Sequence, residues 1–173
     1  AIPAVQGIER GQETVMDEGS ATQRTTSPSL TKLMKPNVKP VDCTDLTTTP
    51  YVQADTITDT DRTFQLGDTV CFRLTAQFDG AYGKNVVLTD FLPITTTYVP
   101  GSATTTVHNT ANIDSFTAPV GTGPATWVLG VNYPGGDLYV TDGDVFDVTI
   151  AATITDPAAV GSVDLAGNLL KMT

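Results

Sequence analysis

The 173-residue chain carries 19 acidic side chains against 9 basic ones, a formal net charge of −10, with one histidine and two cysteines. A field of that sign repels nucleic acid and anionic membrane surfaces, and so few histidines and cysteines fall short of the four ligands of a structural zinc site. Threonine fills 31 positions beside 15 glycines and 11 prolines, a β-branched, turn-forming composition that favours strands over helices. The length suits one domain plus a short extension.

Residues 1–27 form that extension. They are polar, hold Gly7, Gly11 and Gly19, and lack a sustained period of either 2 or 3.6. Their apolar side chains, Ile2, Val5, Ile8, Val15 and Met16, are too few for a core but enough to dock on another surface. The opening Ala1-Ile2-Pro3 lacks the layout of a signal peptide and suits a processed product or an excised piece. No apolar run in the chain reaches the about 18 residues that would span a bilayer.

Residues 28–173 are expected to form an all-β, Ig-like antiparallel sandwich, because short alternating runs are punctuated by Gly, Pro, Asn and Asp. Leu30, Lys32 and Met34 share one parity in the first run, which Pro36 and Pro40 end. The clearest half-buried strand places Val70, Phe72, Leu74, Ala76 and Phe78 inward, with Cys71, Arg73, Thr75 and Gln77 on the outer face, where threonine would hydrate the sheet. Further strands are predicted over 85–91, 102–107 and 125–131, the last with Trp127, Leu129 and Val131 in phase. Phe146, Val148, Ile150, Ala152 and Ile154 point inward from a strand over 145–154, and a final strand runs over 168–172. Turns fall at Asp79-Gly80, Pro100-Gly101, Pro134-Gly135-Gly136 and Asp142-Gly143.

Cys43 and Cys71 stand 28 positions apart outside any CxxC pair, which reads as one disulfide formed in an oxidising compartment, or as two free thiols. As a disulfide, the pair would clip the Pro-rich 35–50 loop over the outer face of the sheet. Asp55, Asp59 and Asp61, and Asp142, Asp144 and Asp147, offer oxygen ligands of the kind Ca²⁺ prefers, although alternating Asp and Thr is equally an ordinary solvated strand face. No other cofactor is expected. His108 has no partner cysteine or second histidine, and no G-x-S-x-G motif exists.

The order Gly67-Asp68-Thr69-Val70, Phe72, then Asn85-Val86-Val87-Leu88-Thr89-Asp90-Phe91-Leu92-Pro93, then Thr97-Tyr98-Val99-Pro100-Gly101-Ser102 resembles the repeated Ig-like domain of prokaryotic surface proteins known as domain of unknown function eleven. Trp127-Val128-Leu129-Gly130, Gly143-Asp144-Val145-Phe146 and Gly167-Asn168-Leu169-Leu170-Lys171 follow in order, so the resemblance covers residues 28–173. It implies a non-enzymatic module of stalks, adhesins, surface layers or filaments. The chain departs from that pattern in its 35–50 insertion, its two cysteines and Phe78, and it shows one copy with no internal repeat. Related adhesins join a lysine of the first strand to an asparagine of the last by an isopeptide bond, with a buried acid assisting. The resemblance places Lys32 and Asn168 in those positions and leaves the acid open among Asp68, Asp79 and Asp90, with Gln77 where such adhesins keep their Asp. In the plainer reading, Lys32 snorkels to the sandwich edge and Asn168 bonds backbone in a turn.

The functional expectation is an extracellular, self-assembling structural module without catalytic residues, whose partner is another copy or a neighbouring domain of the same surface protein. Residues 1–27 would add a strand to an open sheet edge of that neighbour. The alternative is a ligand-binding adhesin using tyrosines such as Tyr51, Tyr82, Tyr98, Tyr133 and Tyr139. An enzyme would need titratable groups converging in a cleft.

Overall fold

The computed structural model describes residues 28–156 apart from 59, 62, 81 and 82, together with residues 169–173. The expected N-terminal extension lies outside the described residues. Among the described residues twelve strands occur in chain order: β1 (Ser29–Met34), β2 (Thr69–Gln77), β3 (Gly83–Lys84), β4 (Val86–Phe91), β5 (Thr96–Tyr98), β6 (Thr104–Thr105), β7 (Ile113–Thr117), β8 (Ala125–Leu129), β9 (Val131–Asn132), β10 (Leu138–Val140), β11 (Val145–Ile154) and β12 (Leu169–Met172). A single 3₁₀ turn, Ala54–Thr56, is the only helical element among the described residues.

Every pairing is antiparallel, and the chain is an all-β sandwich. The first sheet has the order β1-β2-β11-β5, with β6 also on β11; the second runs β12-β4-β8-β7; and a small third sheet joins β3, β10 and β9. The long β2 and β11 ladder sets the architecture. Its register aligns Phe146 with Ala76, Val148 with Leu74, Ile150 with Phe72 and Ala152 with Val70. Directly opposed residues of an antiparallel pair share a face, so two alternating apolar sets combine into one wall. Leu88 of β4 and Trp127 and Leu129 of β8 close on it from the second sheet, forming one continuous core.

The outer face of β2 and β11 differs from the hydrated surface expected. Cys71, Asp147, Thr149 and Ala151 are all buried there. Cys43 and Cys71 are disulfide-bonded with Cα atoms 5.3 Å apart, and the bond holds the 35–50 loop over that face. The Tyr51 hydroxyl donates to the Cys43 carbonyl at 2.6 Å, and the Lys35 ammonium donates to the carbonyls of Asp42 and Asp45. The alternation was real, but the loop supplies the second layer that excludes water.

Three expected strands also change their bounds. Val131 does not continue β8 inward; it is 53% exposed. Gly130 adopts φ +129°, and a Cβ there would meet the Tyr139 nitrogen at 2.6 Å. The chain therefore turns out of the second sheet, and Val131 pairs with Tyr139 instead. Asn85, at φ 54°, separates β3 from β4, a left-handed conformation that asparagine tolerates. The strand expected over 102–107 shortens to Thr104–Thr105, leaving Val107 exposed.

Candidate functional site

Register forces a lysine into the core. Lys32 lies opposite Leu74 in the β1–β2 ladder, and Leu74 is fully buried, so the lysine must share its inward face. On β4, Val86, Leu88 and Asp90 have one parity, and Asp90 lies opposite the buried Ala125 of β8 and opposite Leu170 of β12. The two side chains meet between the sheets. Lys32 Nζ donates to Asp90 Oδ1 and stands 4.8 Å from the centroid of the Phe72 ring. Lys32 is 12% exposed at its side chain and Asp90 not at all.

This pair is costly as a structural device. Removing two charges from water is repaid only when geometry and further hydrogen bonds satisfy them, yet Asp90 Oδ2 is buried without a hydrogen-bond partner among the described residues. Burial pushes the Lys32 amine down to about 8, against the attraction of Asp90. The same burial pushes the Asp90 carboxyl up, opposed by Lys32. Both shifts move the pair toward a neutral amine beside a protonated carboxyl, and a group near 8 has a minor neutral-amine fraction at pH 7 to act as nucleophile.

The sequence left the assisting acid open among three aspartates, and the structure brings Asp90 to Lys32. Asp68 instead accepts from Lys39, Asn37 and the Gln65 backbone, Asp79 accepts from Gln77, and Gln77 is exposed. The signal for Asp90 was its shared parity with Val86 and Leu88. Lys32 reaches inward rather than snorkelling out at the edge. Asn168, the expected partner, lies outside the described residues.

The aspartates considered for calcium are engaged separately. Asp142 accepts from the Gly80 backbone, Asp144 from the Thr141 backbone at 2.8 Å, and Asp147 from Arg73. Asp55 is exposed on the 3₁₀ turn, Asp61 donates its N–H to the Thr58 carbonyl, and Asp59 lies outside the described residues. Among the described residues no three Asp, Glu, His or Cys side chains are gathered for a metal. Of the tyrosines, Tyr51 is buried under the clipped loop, Tyr98 flanks Phe116, and Tyr133 and Tyr139 pack edge to face at 5.1 Å; Tyr82 lies outside the described residues.

No family model, curated protein or solved structure matches the chain.

Proposed function

We propose that the chain is a non-enzymatic, extracellular structural module of a prokaryotic surface protein, which assembles with copies of itself and is locked internally by two covalent bonds. The observation that carries this reading is the Lys32–Asp90 pair with its unpartnered carboxylate oxygen. A nucleophile held between two sheets, its side chain only 12% exposed, is placed to react with its own chain. The Cys43–Cys71 disulfide adds support for an oxidising setting.

The second covalent bond is an amide between Lys32 and Asn168. The neutral Lys32 Nζ attacks Cγ of the Asn168 carboxamide, the new C–N bond forms as the bond to the amide nitrogen breaks, and ammonia leaves. Asp90 donates a proton toward the carboxamide and recovers one from the attacking amine, so it ends as it began. No oxidant or reductant takes part. Such a bond would tie β1, at the edge of the first sheet, to the segment entering β12, at the edge of the second.

Intact-mass measurement without reductant tests this. The expected mass is that of the sequence less one ammonia and two hydrogens, with only the two hydrogens returning on reduction. Asp90→Asn and Lys32→Ala chains should keep the disulfide and lose the ammonia deficit. A wild-type mass lacking that deficit would refute the amide bond, and the absence of ordered polymers of the wild-type chain by electron microscopy would refute self-assembly.

A further inference from the structure

The two long sides of the sandwich are not equivalent. On one side β1 touches β12 and closes the gap between sheets. On the other, the first sheet ends in two short strands: β5 covers Ala152–Ile154 of β11, and β6 covers only Val148 and Thr149. The facing edge of the second sheet is β7, whose outer side pairs with no strand among the described residues. Between β6 and β7 lies a groove of about 180 Å³, lined by Ala103, Thr105, Ile113, Phe116, Trp127 and Val148.

The core runs out into this groove unfinished. Phe146 packs edge-on against Trp127 at 5.4 Å, Trp127 against Phe116 at 5.0 Å, and Phe116 faces Tyr98 at 6.5 Å. Phe116, third in that row, is left 37% exposed. No lining side chain is charged.

We infer that this groove receives the uncharged, apolar stretch Ile2 to Ile8 of a second copy of the chain. The inference rests on the self-assembly proposed above and names its donor and acceptor. Two sequence facts select the donor. Residues 1–8 contain no ionisable side chain and carry Ile2, Val5 and Ile8, whereas Glu9, Arg10, Glu13, Asp17 and Glu18 follow immediately. Acidic copies repel each other over most of their surface, so a neutral segment on a neutral groove is the contact that their field permits. Residues 9–28 then form a spacer that, extended, reaches about 65 Å, several times the about 15 Å radius of gyration of a domain this size.

The topology sets donor and acceptor on opposite sides of the sandwich, and the spacer is long enough to reach a neighbour. The spacer leads into β1, the edge strand on the side of the sandwich opposite the groove. A copy donating from its β1 side to the groove side of the next repeats the same heterologous contact indefinitely, which builds a filament rather than a closed pair. A β-bulge between Ile113 and Ser115 interrupts the β7 ladder, so the incoming segment is expected to run along Ser115–Thr117 and lay its apolar side chains over the exposed part of Phe116.

The test uses the full chain with a photo-activated benzophenone amino acid replacing Phe116, assembled from equal parts of isotope-labelled and unlabelled copies. Crosslinks from position 116 to residues 2–8 that join labelled to unlabelled chains are expected, together with loss of polymers in an Ile2→Asp/Ile8→Asp chain whose sandwich is untouched. Crosslinks confined within one copy would overturn the inference, since the segment would then cover its own groove. Polymers that survive the double substitution, or that give no crosslink to residues 2–8, would also overturn it while leaving self-assembly standing. A wild-type chain that stays monomeric in sedimentation would remove self-assembly itself.

Discussion

Arg73 and Asp147 meet on the outer face of the first sheet, where Arg73 Nε donates at 2.9 Å to Oδ1 and Nη2 donates to Oδ2. Asp147 is 1% exposed at its side chain, so Arg73→Ala would leave a buried carboxylate without its counter-charge. Loss of about 3–5 kcal/mol is expected from urea unfolding. Arg73→Lys, which keeps the charge but not the fork, should fall between that variant and wild type. An unchanged urea midpoint in Arg73→Ala would contradict this. For Lys32 the sign of the pH effect is opposite to that of a favourable ion pair. In an Asn168→Ala chain Lys32 must keep its amine, whose folded value is pushed down to about 8 from the ordinary 10.5. Between those values the unfolded chain binds a proton that the folded chain has released, so stability due to Lys32 rises with pH. Asp90, shifted upward, contributes most in acid and loses its contribution as pH rises through its folded value. The Asn168→Ala chain should therefore gain stability from about pH 8 to about pH 10 relative to Lys32→Met/Asn168→Ala; parallel unfolding profiles would refute the burial argument.

At the scale of elements, the clipped loop is the feature most open to measurement. Cys43 and Cys71 are 28 residues apart, and removing that closure in a Cys43→Ala/Cys71→Ala chain should lower stability by about 3 kcal/mol. A loss below about 1 kcal/mol would show that the hydrogen bonds from Lys35 and Tyr51 hold the loop unaided. The pairing itself was readable from two isolated cysteines. That the loop would lie over the outer face followed from the pairing; that it would exclude water there did not, because alternation in β2 reports two faces and not how closely the second is covered. Among the strands legible beforehand, β1, β2, β4, β8, β11 and β12, the clearest are β2, β8 and β11, each with three or more apolar residues in phase. β7, with the sequence IDSFT, is mostly exposed, and β5 and β10 have three residues each, too few for a period to register. Their strand character comes from partners: Leu138 and Tyr139 extend because Val131 and Asn132 lie beside them. Gly130 likewise looked like an interruption within one strand, and the backbone packed against it makes it the boundary between two sheets.

For the whole molecule, the proposed lock and the proposed docking groove occupy opposite sides of one sandwich. The Lys32–Asp90 pair lies on the side that β1 and β12 close, and the groove between β6 and β7 lies where the sheets stay apart. A module built this way would resist unravelling at the edge where its spacer attaches and accept a neighbour at the other. The amino-acid sequence by itself determined the acidic field, the all-β class and the inward set of each long strand, because composition and period-two burial are local properties. It also marked Lys32 as lying in phase with Met34, and Asp90 as one of three candidate acids. Only the tertiary structure decided that these two side chains, 58 positions apart, face each other in the core, that the aromatic row brings Phe116 to an open groove, and that the outer face around Cys71 is dry. Each depends on the register between strands distant in the chain and on which sheet edge meets which, and those are set by the packing of the complete sandwich rather than by any local run of residues.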